Sequence, residues 1–135
     1  MVTECTLPDL GIATLDSEHR QLIALFDEFE QCFNRRAMPE KAEAVVQQAL
    51  TLTNAHFAHE EKLMDETAYP RANEHKFQHR NMRLQFTTLV GDTLNHLRMH
   101  DPVTLQHLAM MRIQLQEHIS GADRVLAEYV KAIHR

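Results

Sequence analysis

Ten histidines stand among 135 residues that include no Trp and only two Tyr. Neutral imidazole is the commonest protein metal ligand and the commonest acid–base group, so their spacing comes first. His56 and Glu60 are four residues apart, which on a helix aims both side chains from one face, and His75 and His79 repeat that spacing. His118 is followed five residues later by Asp123, and His19 stands behind Asp16-Ser17-Glu18. Together these make five imidazoles and two carboxylates. With so many histidines, on the order of one such pair arises by chance, so the HxxxH spacing alone is weak. His96 and His100 share it and are read as solvated, as are His59, His107 and His134.

The elements that must position these groups are helical. Asp16 is an N-cap candidate, and Leu22, Leu25, Phe26, Phe29 and Phe33 follow at three- and four-residue steps, fading near Arg35–Met38. Pro39 suits the first turn of a second helix that runs to about Glu66, with Val45, Ala49, Leu52, His56, Leu63 and Met64 on its inner stripe. Tyr69-Pro70 is a boundary, because a residue before Pro is pushed out of the helical region. Pro70 would begin a third helix through His75, His79, Met82, Phe86 and Leu89, and Gly91 weakens the pattern beyond. Asp101-Pro102 supplies a cap and first-turn Pro for a fourth, ending near Ile133. Short connections make neighbours antiparallel, so the expected fold is all-α: an up-down-up-down four-helix bundle. Residues 1–135 read as one domain, with 1–15 an extended arm packed on the bundle.

On that bundle every helix sends at least one of the seven groups toward the axis. Buried polar groups without partners are costly, so a core holding seven of them should bind something, and metal cations suit. Imidazole favours Zn, Cu, Fe and Ni, while carboxylates favour harder ions and bridge pairs of them. Seven ligands exceed what one tetrahedral zinc takes. Two six-coordinate ions sharing both carboxylates and a solvent-derived oxygen would use all positions but one, which a diatomic ligand could fill. One spacing resists a regular helix: five residues advance about 500°, which separates His118 from Asp123. A π-type bulge near Gly121 would reunite them.

The strings His19 after Asp16-Ser17-Glu18, His56-Phe57-Ala58-His59-Glu60-Glu61, His75-Lys76-Phe77-Gln78-His79 and His118-Ile119-Ser120-Gly121-Ala122-Asp123 resemble the hemerythrin signature, in order and placement. Met64 through Tyr69-Pro70 resembles it too, and the likeness spans roughly Leu10 to Tyr129. The resemblance implies two iron ions with a bridging oxo or hydroxo group. His75, His79 and His118 would bind one iron, His19 and His56 the other, and Glu60 and Asp123 would bridge. It also implies that dioxygen binds at the more open iron. The family often carries Trp before the first helix and again four residues before the last histidine; this chain has no Trp, and Gln114 holds the latter position. Leu115 and Ile119, flanking His118, are read as an apolar lining for the oxygen pocket.

The rest of the chain narrows the options. A net charge of −5 argues against nucleic acid or an anionic membrane as partner. No apolar run approaches the ~20 residues that cross a bilayer, and the first residues lack a signal pattern, so a soluble, cytoplasmic protein is expected. Cys5 and Cys32 read as free thiols. Phe57 and Phe77 either line the site or simply pack, whereas Glu18 and Glu61 read first as surface charge and second as acceptors for ligand N–H groups. Reversible oxygen storage or delivery, without enzymatic turnover, is the favoured function, and the protein partner is unknown. The alternatives are an oxygen or iron sensor, a di-iron redox enzyme acting on peroxide or nitric oxide, and a structural bundle loaded with zinc or manganese. Imidazole-rich ligation stabilises high-valent iron less than carboxylate-rich ligation does, which favours binding over oxidation.

Overall fold

The computed structural model describes residues 9–34, 39–97 and 103–134. Helix α1 (Ala13–Asn34) begins three residues before the expected cap. Asp16 therefore lies inside the first turn, where its own N–H bonds the Ile12 carbonyl at 2.9 Å. Its carboxylate still serves backbone donors, but those of the incoming segment: Leu10 N–H at 2.9 Å and Gly11 N–H at 3.1 Å. Gly11 adopts φ 83°, and a Cβ there would sit 3.1 Å from Lys131 Nζ, so this turn calls for glycine. The extended arm thus ends at Ile12 rather than at residue 15. Residues 1–8 of it, Cys5 included, lie outside the described residues.

Helix α2 (Pro39–Glu66) has the expected bounds. It ends in a Schellman turn: Tyr69 N–H bonds Met64 O at 3.0 Å, Ala68 N–H approaches Asp65 O at 3.4 Å, and Ala68 holds φ 50°. Tyr129 Oη donates to Thr67 O at 2.8 Å and ties the far end of the chain to this turn. Pro70 remains in the turn, and helix α3 (Ala72–Leu97) starts two residues later and continues through Gly91. The Asp101-Pro102 cap lies outside the described residues, as does His100, and nothing is described of the His96 side chain. Helix α4 (Val103–His118), a π-helical turn (Ile119–Asp123) and α5 (Arg124–Ile133) run on without a break as the fourth rod of the bundle.

The rods pack α1 on α2, α2 on α3, α3 on α4, and α4 back on α1, which closes a four-helix bundle. The candidate ligands lie early in α1, late in α2, early in α3 and from the middle of the fourth rod onward, which sets them at one level of an antiparallel bundle. The larger apolar cluster, built on Leu22, Phe26, Phe29, Val46, Phe86 and Leu115, fills one end. Met64, Tyr69, Leu126 and Val130 form a smaller cluster beside the α2–α3 turn. Cys32 is buried in the larger one and is in no disulfide among the described residues. No described helix is long and apolar enough to cross a membrane.

Candidate metal centre

Between the two apolar clusters the bundle becomes polar. His19, His56, Glu60, His75, His79, His118 and Asp123 are all buried, and His118, at 6% exposure, is the most accessible of them. Burial of seven ionisable groups at one level demands an electrostatic reason.

The two carboxylates organise the imidazoles. Glu60 Oε1 lies 2.9 Å from His79 Nε2 and 3.2 Å from His75 Nε2, while Oε2 lies 3.2 Å from His56 Nε2. Asp123 divides its oxygens the same way: Oδ1 is 2.8 Å from His118 Nε2 and 3.1 Å from His75 Nε2, and Oδ2 is 3.2 Å from His19 Nε2. Within each set the imidazoles converge, His19 on His56 at 3.0 Å and His79 on His118 at 3.1 Å between Nε2 atoms. Two groups of donor atoms result, each spanning less than 4.8 Å: His75, His79 and His118, and separately His19 and His56, with Glu60 and Asp123 common to both.

Asp123 reaches the centre through the π turn. Over Ile119–Asp123 the helix widens, so a five-residue step brings Asp123 round to the side of His118. Gly121 is not what forces this, since a Cβ there would meet no atom within 4 Å.

A further set of contacts orients the imidazoles. His56 Nδ1 donates to Glu18 Oε1 at 2.7 Å, and His79 Nδ1 donates to Glu61 Oε2 at 2.9 Å. An ionised carboxylate only accepts, so these bonds fix Nδ1 as the protonated nitrogen and leave Nε2 to the centre. Glu18 and Glu61 are therefore partners of candidate ligands and not plain surface charge. His59, read as a surface group, has an exposed ring whose Nδ1 nonetheless donates to Glu18 Oε2. The position of Glu18 just before His19 is the one clue to it along the chain, and its pairing with His56 and His59 depends on how α1 and α2 pack.

Phe57 is fully buried and stacks on His79, with ring centroids 4.1 Å apart and planes 9° from parallel. Phe77, by contrast, is 58% exposed. Leu115 and Ile119 are both fully buried in the larger apolar cluster. His107 is half-buried, a departure from the surface reading, and His134 is exposed. Gln114 borders an open groove of about 580 Å³ between α3 and the fourth rod, which His75 and His118 also line.

Proton affinities follow from this packing. Burial alone would lower His56, but the Asp123 and Glu60 carboxylates outweigh it and hold the imidazole up to about 11. The same contest raises His118 to about 9 and shifts His75 upward. Burial pushes Glu60 and Asp123 the other way, yet the surrounding histidines keep both well below the usual carboxylate range. The bare chain thus stores negative charge at the centre and balances it with protons. Balance is incomplete in hydrogen bonds: Glu60 Oε2, both Asp123 oxygens and His19 Nδ1 are buried without one. Cations that accept the imidazole lone pairs and both carboxylates would satisfy the centre and expel its protons, so the donor set fits a metal centre.

Comparison with known proteins agrees with the geometry. The family model described as the hemerythrin HHE cation binding domain matches residues 10–130. The chain is also similar to a bacteriohemerythrin of Stenotrophomonas maltophilia (strain R551-3), with 28% identity over 127 residues that cover 92% of this chain and 78% of that protein.

Proposed function

This chain belongs to the hemerythrin family, and from that premise we propose that it binds dioxygen reversibly at a non-haem di-iron centre, for oxygen storage or delivery. The observation that carries the proposal is the division of both carboxylates: Glu60 Oε1 and Asp123 Oδ1 face the His75, His79 and His118 set, and Glu60 Oε2 and Asp123 Oδ2 face His19 and His56.

In this reading His75, His79 and His118 would hold one iron and His19 and His56 the other, with Glu60 and Asp123 shared between the two sets. The iron pair, when bound, would supply the electrons that dioxygen accepts. The set with two imidazoles offers fewer protein donors, so the small ligand would belong on that side. The chain's own task is to keep that side dry and its ligands fixed. Leu115 and Ile119, fully buried beside His118 in sequence, supply apolar surface that keeps water and protons from the bound ligand. Glu18 and Glu61 hold His56 and His79 with Nε2 inward. A redox enzyme acting on peroxide or nitric oxide, or a sensor, would use the same residues, and the preponderance of imidazole over carboxylate favours the carrier.

Iron content and oxygen uptake test the proposal together. Two irons per chain and one dioxygen taken up per iron pair, released again under vacuum, are expected. Uptake that is irreversible, or sustained turnover of peroxide or nitric oxide, would favour the enzyme.

A further inference from the structure

Glu18 and Glu61 are held by the same device, repeated one helix along the bundle. Glu18 on α1 is gripped by two residues of α2 one turn apart: His56 Nδ1 at 2.7 Å on Oε1 and His59 Nδ1 on Oε2. Glu61 on α2 is gripped by two residues of α3 one turn apart: His79 Nδ1 at 2.9 Å and Arg83 Nη2 at 2.8 Å, both on Oε2. In each pair the inner member turns its Nε2 to the centre and the outer member lies toward solvent.

We infer that His59 and Arg83 are outer positioning residues, one for each half of the centre, with His59 securing the two-imidazole metal and Arg83 the three-imidazole metal. The inference rests on the di-metal reading above. Its physical basis is the freedom of a glutamate side chain. A carboxylate held by one donor can turn toward water, and the Glu61 side chain is already 25% exposed. A second donor from the same neighbouring helix fixes its rotamer, and through it the ring plane of the ligating imidazole. Arg83 adds a second restraint, because its guanidinium lies 5.5 Å from the centroid of the Phe57 ring that stacks on His79. Among the described residues His56 has no such parallel stack: its ring meets Phe57 at 6.1 Å and 47° and His19 edge-on at 4.6 Å. The two halves are therefore braced differently: one by a permanent cation and an aromatic plate, the other by a single exposed imidazole.

Both outer residues are accessible, with side chains 56% and 35% exposed, so truncating them opens no core cavity. Partners of metal-bound histidines typically contribute about 10–100-fold in metal affinity. The test is anaerobic release of ferrous iron to an excess of chromogenic chelator from the full chain. His59→Ala should release one of two irons about 10-fold faster than wild type and leave the other unchanged, and Arg83→Ala should do likewise. The double variant should then release both irons fast. His59→Asn, whose amide can stand in for Nδ1, and Arg83→Lys should recover most of the wild-type rate, with helicity of the metal-free protein unchanged throughout. A double variant that still keeps one iron at the wild-type rate, single variants that release like wild type, or failure of the conservative variants to rescue would overturn the assignment. A wild-type chain holding fewer than two irons would instead overturn the di-metal reading itself.

Discussion

His118 and Asp123 stand five residues apart on one continuous rod, yet His118 Nε2 lies 2.8 Å from Asp123 Oδ1. A regular helix would turn them to different faces, and the π turn over Ile119–Asp123 is what joins them. The helix departs from its preferred hydrogen bonding at the one place where the carboxylate must enter the centre. Beyond it, Leu126 and Val130 of α5 still face the smaller apolar cluster.

Because Gly121 has helical backbone and an empty Cβ position, Gly121→Ala should be accepted within the π turn. Lower chain entropy in the unfolded state should stabilise the protein by about 0.5–1 kcal/mol with metal content unchanged. Chemical denaturation and metal analysis would check both halves; loss of metal would show that the turn itself needs glycine.

Glu60 and Asp123 should be the least replaceable groups in the centre, since the two oxygens of each face both imidazole sets. Glu60→Gln keeps the size but removes the charge and presents an N–H₂ where an acceptor is needed. Bound metal should fall from two ions to one or none, measured as iron per chain after anaerobic loading. Full occupancy in this variant would mean that the carboxylate does not bridge.

Stability should fall with rising pH in the metal-free chain and hold steadier once metal is bound. In the metal-free chain burial is outweighed by the Asp123 and Glu60 carboxylates, which hold His118 up to about 9 and His56 up to about 11, above the ordinary 6.5 of an unfolded histidine. Their stabilising contribution is complete below about pH 6.5 and is lost as pH rises through those values. Glu60 and Asp123, depressed in the fold, contribute above the usual carboxylate range and lose that contribution as pH falls below it. With chelator present, the melting temperature should therefore drop between about pH 7 and pH 10. Metal competes with the same protons, so the increment that iron adds to the melting temperature should grow over that interval. Parallel curves would contradict the shared use of these groups.

Asp16 should matter to the entry of α1 without touching the centre's occupancy. Asp16→Ala strands the Leu10 and Gly11 N–H groups and should cost about 1 kcal/mol, comparable to losing a helix cap. Denaturant unfolding would measure it, and an unchanged midpoint would show that water replaces the carboxylate freely.

Much of this was legible in the chain because two periodicities coincide. Apolar residues at three- and four-residue steps define the rods, and the paired spacings of His56 with Glu60 and His75 with His79 put the candidate ligands on the same stripes. Even the irregular turn could be anticipated, because a five-residue step between two inward groups has no other economical solution. What local pattern could not show was contact between rods. His59 looks like a solvated histidine until α1 places Glu18 beside it, and Arg83 looks like surface charge until Glu61 and Phe57 meet it from α2. Asp16 is hard to place for a related reason: its side chain serves N–H groups upstream, where no helical periodicity marks the start.

The most direct measurement is a cycle of oxygenation on the reduced, iron-loaded protein, followed by visible absorption. A band that forms with dioxygen, disappears when the gas is removed and returns undiminished on the next exposure is the predicted result, at two irons per chain. A protein that holds two irons but gives no such band, or passes at once and permanently to the oxidised form, would contradict reversible oxygen binding as its function.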